Sequence, residues 1–236
     1  MEKTDIVMRH GQFERHINAD PYKEFQDFLS NPDTFPLSQD GAEEIKRSLD
    51  AIQEKERISL IISSPYARAK ESAEVIQQEL RSCHDKDVPI QTTKLLREID
   101  IAPDVLSKEE FTKILNTGGE DAVAGAVFEK WRSGQTGQLP EKVEKRAKDF
   151  LKYVRRIHKW TANERLIIVS HASFLRALQR VIEGKSVTLP RKETQKLETA
   201  GKYHIARNPQ QEKPALPGIQ HGEFMLLPTE QIIDAQ

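Results

Sequence analysis

The chain has one cysteine, Cys83, which leaves no internal disulfide and no Cys-based metal cluster. A single thiol points to a reducing setting. Charge of either sign is not in excess: 36 Lys and Arg face 37 Asp and Glu, for a formal net charge of -1. Nothing in that balance pulls the protein toward nucleic acid or an anionic membrane, so any anion site must be local. Long apolar runs are missing too, and the opening Met-Glu-Lys-Thr-Asp has no signal core. The expectation is a soluble, cytoplasmic protein without nucleic-acid or membrane partners. No His-x-x-x-His pair with a further ligand is present, so no metal is expected. Internal repeats and low-complexity tracts are absent as well.

What is present is three short continuous apolar runs, Asp5–Met8, Ser59–Ile62 and Leu166–Val169. Runs without alternation suit strands buried on both faces, as in a parallel sheet. Helical spacing lies between them. Ala42, Ile45, Leu49 and Ile52 recur at three- and four-residue steps after a cap at Ser38. Ala69, Ala73, Ile76 and Leu80 repeat the pattern after Ser64-Pro65, read as N-cap and first turn. A third stripe carries Val143, Ala147, Phe150, Leu151, Val154 and Ile157. The lysines of 141–152 read as its solvated face. A fourth begins near Ser173 and carries Phe174, Leu175, Leu178, Val181 and Ile182. This predicts one α/β domain over 1–236, a three-layer sandwich whose mostly parallel central sheet has helices on both faces. In the polar tail, Lys202–Ala206 and Glu223–Leu227 are candidates for an antiparallel edge. Two excursions, near 12–37 and 99–139, have the length of inserts or lids.

Each apolar run ends in reactive residues. They are Arg9-His10-Gly11, then Ser63-Ser64-Pro65 with Arg68 in the next helical turn, then Ser170-His171-Ala172. Ligands of open α/β sheets sit beyond the carboxyl ends of the strands, so two histidines and two arginines should share one rim. Arg offers bidentate donors to phosphate, and a helix N-terminus adds free N–H groups. A histidine attacks phosphorus through an unprotonated nitrogen, and nearby arginines disfavour the imidazolium. Positioning and cationic donors supply most of phosphoryl-transfer catalysis, so no cofactor is needed. Glu98 and Asp100 are both available as the acid for the leaving oxygen, and spacing does not choose between them. His84, His158, His204 and His221 read as solvated or structural.

Arg9-His10-Gly11-Gln12, Ser63-Ser64-Pro65-Tyr66-Ala67-Arg68-Ala69, Leu96-Arg97-Glu98 and Val169-Ser170-His171 resemble, in order and spacing, the motifs of the histidine phosphatase (phosphoglycerate mutase-like) superfamily. The resemblance covers roughly residues 4–183. It implies His10 as phosphohistidine nucleophile, Glu98 as proton donor, and Arg9, Arg68 and His171 as the phosphate pocket. Gln12, His16 and Ala172 flank the two histidines and are further candidates for lining it. His16 stands where members often carry Asn, Ala172-Ser173 where they often carry Gly, and Ile99–Pro103 replaces a Gly-x-Trp-Glu-Gly run. The expected activity is phosphomonoester hydrolysis of a small phosphorylated substrate, with a phosphoprotein left open. The alternatives are a mutase using the same intermediate and a weakly catalytic phosphate- or protein-binding module.

Overall fold

The computed structural model describes residues 4–14, 20–134, 136–158 and 164–189, together with the backbone of 224–228. His16 and Lys202–Ala206 lie outside these residues. Four strands run parallel: β1 (Thr4–Arg9), β2 (Ile58–Ser63), β3 (Ile90–Thr92) and β4 (Arg165–Ser170). The backbone of β5 (Phe224–Pro228) runs antiparallel along β1, and the sheet order is β3-β2-β4-β1-β5. Six α-helices, α1 (Pro21–Ser30), α2 (Gln39–Asp50), α3 (Ala67–His84), α4 (Lys108–Arg132), α5 (Pro140–His158) and α6 (Ala172–Ile182), and two short 3-10 turns, Lys55–Arg57 and Lys94–Leu96, complete the described elements.

The continuous apolar runs are explained by the layers they separate. All six residues of β4 are buried. Successive strand residues point to opposite faces. Val7, Ile62, Leu166 and Ile168 therefore join one core cluster with α4, α5 and α6. Ile6, Met8, Ile61, Ile167 and Val169 join a second with α2 and α3. Each fully buried Ile, Val or Leu contributes about 1.5–3 kcal/mol relative to exposure, and the buried polar strand residues Asp5, Ser63, Arg165 and Ser170 lie toward the strand ends, each with a hydrogen-bond partner.

Helix ends largely follow the sequence. The Ser38 hydroxyl accepts from the Gly41 amide and caps α2. The start of α3 differs from the Ser64-Pro65 expectation: its N-cap is Tyr66, and Ala67 is the first helical residue. The Ser64 hydroxyl instead accepts from the Tyr66 amide at 3.3 Å, which makes a tight turn before the helix. The strand β3 was not among the sequence-based expectations, since Ile90–Thr92 is too short to show a pattern.

The two excursions behave differently. Residues 99–139 contribute α4, whose Phe111, Ile114, Val127, Phe128 and Trp131 are buried in the larger cluster. Gly119, at φ 69°, interrupts that helix in a conformation that L side chains rarely adopt. Residues 20–37 form α1 and a turn lying over the carboxyl ends of the strands. Tyr22 donates to the Leu106 carbonyl at 2.7 Å, and Tyr22 and Phe25 pack on Phe111, so α1 is tied to the start of α4. Among the described residues no helix is long and apolar enough to cross a membrane.

Candidate active site

The parallel pairing brings the three reactive strand ends together. Arg9 lies opposite Ser170 and Ser63 opposite Val169. The amides of His10 and Ser64 then bond to the carbonyls of Ser170 and Val169, both at 3.0 Å. The loop after β1 is locked against α2. The Gln12 amide donates to Glu44 at 3.0 Å, and the Ser38 hydroxyl donates to the Gln12 carbonyl at 3.0 Å. A Cβ on Gly11 would overlap the Gly41 carbonyl, and one on Gly41 would overlap the Gln12 carbonyl. The backbones approach this closely because both residues are glycine. The Gly11 amide also donates to Ser72 of α3, which in turn donates to the Arg68 carbonyl.

His10 is 2 % exposed, and its ring centroid lies 5.0 Å from that of His171. A carbonyl can only accept, so the 2.8 Å contact with Gly11 assigns the proton to Nδ1 of His10. Its Nε2 is then a bare lone pair, and it accepts from Nε of Arg68 at 2.9 Å. Burial pushes the His10 pKa well below the usual histidine range, and Arg68, His171 and Arg9 push the same way. His171 is shifted in the same direction by burial, then by Arg68, Arg9 and Arg146. Both shifts favour the neutral ring.

Arg68 is fully buried. Its Nη1 donates to the Pro32 carbonyl, and its guanidinium lies 5.3 Å from the Phe28 ring, 5.5 Å from Phe13 and 5.6 Å from Tyr66. Phe13 stacks on Phe28 at 5.0 Å, and Phe35 packs edge-on to both. Thus the turn after α1 roofs the histidine pair. Burial lowers the pKa values of Arg9 and Arg68 to about 10, and Glu98 is the strongest charge opposing that shift in each. Both remain cations at neutral pH.

Glu98 sits on the N-terminus of α6. One carboxylate oxygen accepts from the amides of Ile99 at 2.9 Å and Phe174 at 3.0 Å, and the other from Ser173 at 3.4 Å. Ser173 and Phe174 are the second and third residues of α6; the amide of Ala172, the first, has no partner among the described residues. Asp100, the other carboxyl, is half exposed and faces Arg97 at 3.9 Å. It also lines an open surface depression with Gln138, Leu139 and Lys142, which contains neither His10 nor His171. The structure therefore gathers Arg9, His10, Arg68, Glu98, His171 and Ala172. Gln12 adjoins the group, but its described bonds are made by its backbone.

One residue at this site, Arg146, was not singled out from the sequence, and another was read there only as a strand-end motif residue and helix cap. The Arg146 guanidinium donates to the Glu98 carbonyl at 3.4 and 3.5 Å and lies 4.6 Å from the Phe174 ring. It stands on the apolar stripe of α5, between Val143 and Ala147, inside a run otherwise read as a solvated lysine face. A charge on the buried stripe was the available signal. The second is Ser64, whose hydroxyl lies 2.8 Å from Nε2 of His171.

Comparison with known proteins places this geometry. A mycobacterial glucosyl-3-phosphoglycerate phosphatase complexed with VO3 aligns at a TM-score of 0.50 and 14% identity, over 78% of this chain and 84% of its own. Mycobacterial hydrolase 2 gives 0.50 and 16%, over 82% and 76%. YhfR of Bacillus stearothermophilus gives 0.50 and 21%, over 78% and 82%. At these identities the likeness is one of fold. No curated protein matches the chain in sequence. The sequence profile of branch 1 of the histidine phosphatase superfamily spans residues 6–217, and the chain belongs to that superfamily.

Proposed function

We propose that the protein hydrolyses phosphomonoesters through a phosphohistidine on His10. The observation that carries this reading is the state of Nε2 of His10: unprotonated, buried and already facing a guanidinium. Arg68 has a second nitrogen, Nη2, buried without a hydrogen-bond partner among the described residues. A phosphoryl dianion brings acceptors for such donors, and Arg9 adds a further cation.

In the first step Nε2 of His10 attacks phosphorus, an N–P bond forms, and the bond to the leaving oxygen breaks. Glu98 in its acid form gives that oxygen a proton. In the second step water attacks the phosphohistidine, Glu98 takes a proton from the water, and inorganic phosphate leaves. Arg9, Arg68 and His171 hold the equatorial oxygens, where transition-state charge is spread. These donors serve the purpose that a metal ion serves in other phosphoryl-transfer sites. The name of the mycobacterial phosphatase neighbour is in keeping with hydrolysis of a small phosphorylated substrate. Gln12 and Ala172 adjoin the phosphate, and the setting is cytoplasmic.

The test is to trap the enzyme during turnover with labelled substrate and map the label. An acid-labile, base-stable phosphate on His10 is expected, and His10→Ala should abolish turnover while leaving the fold intact. Label on serine, on Cys83 or on His171 would overturn the assignment. Turnover should also persist in excess chelator.

A further inference from the structure

His171 is fully buried, and its two ring nitrogens differ sharply in their surroundings. Nε2 lies 2.8 Å from the Ser64 hydroxyl, whereas Nδ1 is buried with no hydrogen-bond partner among the described residues. Which nitrogen carries the proton follows from the bonds Ser64 makes. A serine hydroxyl has one hydrogen and two lone pairs. One lone pair of Ser64 receives the Tyr66 amide at 3.3 Å. Its own hydrogen has one acceptor among the described residues, Nε2 of His171. A Ser64 hydroxyl that donates to Nε2 requires the ring proton to be on Nδ1.

The opposite tautomer fails twice. With the proton on Nε2, the Ser64 hydrogen would be buried without an acceptor. Nδ1 would then present a lone pair in a pocket where a phosphoryl dianion must bind. Unsatisfied buried groups are costly, and a lone pair facing an anion is repulsive. The backbone holds Ser64 in place for this purpose, since its amide bonds to Val169 of β4, two residues before His171. Tyr66, whose amide orients the hydroxyl, also packs its ring 5.1 Å from the His171 ring.

We propose that Ser64 is a positioning residue that fixes His171 as the Nδ1–H tautomer, so that this otherwise unpartnered N–H is a donor to the phosphoryl group. The assignment of that donor to a phosphoryl oxygen rests on the proposed function; the tautomer does not. The role mirrors that of the Gly11 carbonyl at His10. There a backbone acceptor claims Nδ1–H and leaves Nε2 as a nucleophile. Here a hydroxyl donor claims Nε2 and leaves Nδ1–H as an electrophile. Two neutral histidines side by side are given opposite chemistry by one neighbouring group each. Burial and the nearby arginines keep the His171 ring neutral, so tautomer rather than protonation decides its role.

The experiment uses the full chain labelled with 15N at histidine, with long-range 1H–15N correlations read at neutral pH. His171 is assigned by the loss of its signals in His171→Gln. The expected result is a protonated Nδ1 and a bare Nε2. Ser64→Ala should swap or mix the tautomers and weaken binding of inorganic phosphate about ten- to a hundredfold, the scale of one charge-assisted hydrogen bond. Ser64→Thr should restore both. A wild-type His171 protonated on Nε2 would overturn the proposal, and this measurement needs no variant at Ser64 to fold. An Ala variant with the wild-type tautomer and unchanged phosphate affinity would overturn it as well. If the wild-type chain shows the expected tautomer and Ser64 dependence but turns over no phosphomonoester, the hydrolase reading falls and the tautomer assignment stands.

Discussion

Nε of Arg68 donates to Nε2 of His10 at 2.9 Å, so the lone pair proposed to attack phosphorus is occupied by the guanidinium proposed to bind the phosphate. The same guanidinium bonds to the Pro32 carbonyl. Attack by that lone pair requires the Nε contact to open, while Nη2, which has no hydrogen-bond partner among the described residues, can take a phosphoryl oxygen. Arg68→Lys keeps the charge but loses the planar fork that spans both partners. We expect KM for an aryl phosphate to rise at least about tenfold and kcat to fall, as measured by steady-state kinetics. An unchanged KM would show that Arg68 does not reach the phosphate.

Both site histidines have pKa values pushed down by burial and by neighbouring arginines. In the unfolded chain they titrate near 6.5. Below that pH the unfolded state binds more protons than the folded one, so stability falls as pH falls. The loss continues down to the depressed folded pKa values. Each ring contributes a slope of up to about 1.4 kcal/mol per pH unit in that window. Denaturant midpoints between pH 7 and pH 5 should show it, and His171→Gln should flatten the slope.

Glu98 accepts from two amides at the start of α6 and from the amide of Ile99, whereas Asp100 is half exposed. A general acid matters most for a poor leaving group. Glu98→Gln should slow alkyl phosphate hydrolysis about 10²–10⁴-fold and reduce the burst of aryl product much less. Asp100→Asn should change neither. The reverse pattern would assign the acid to Asp100.

Arg146 holds the Glu98 carbonyl and lies on the ring of Phe174, whose amide meets the Glu98 carboxylate. Residues 97–102, which include Glu98, form neither helix nor strand. Arg146→Met keeps the volume and removes the donors. Amide exchange at Ser173 and Phe174 should speed up as Glu98 loosens, and alkyl phosphates should suffer more than aryl ones. Arg146→Lys should recover part of both. Unchanged exchange at the two amides would count against this brace.

Gly41 opens α2 with its backbone against the Gln12 carbonyl. Gly41→Ala forces that contact apart and should destabilise the fold by about 1–3 kcal/mol, read from chemical denaturation. Because the displaced loop carries His10, kcat should fall alongside stability.

The legible part of the fold is the part with a local period. The runs ending at Met8, Ile62 and Val169 had to be buried on both sides, because continuous apolar sequence leaves no polar face. Helices between such strands make the pairing parallel and put Arg9, Ser63 and Ser170 on one edge. The residues that escaped are those whose meaning depends on a distant partner. Arg146 meets Glu98 across 48 positions and Ser64 meets His171 across 107. The Ser64-Pro65 cap was misread for the same reason: the hydroxyl serves the turn and a remote histidine rather than the helix.

By itself, then, the sequence determined the layers, the strand ends and the set of groups able to handle phosphate, since burial and residue chemistry act locally. Spacing alone did not choose between Glu98 and Asp100, because two carboxyls two residues apart share any extended face; only the resemblance of Leu96-Arg97-Glu98 to a family motif favoured Glu98. Only the tertiary structure set one on the N-terminus of α6 and left the other half in solvent. The same holds for the histidines. His10 and His171 are one chemical group in the sequence. The roles proposed for them, nucleophile and donor, rest on packing that puts a carbonyl against one ring and a hydroxyl against the other.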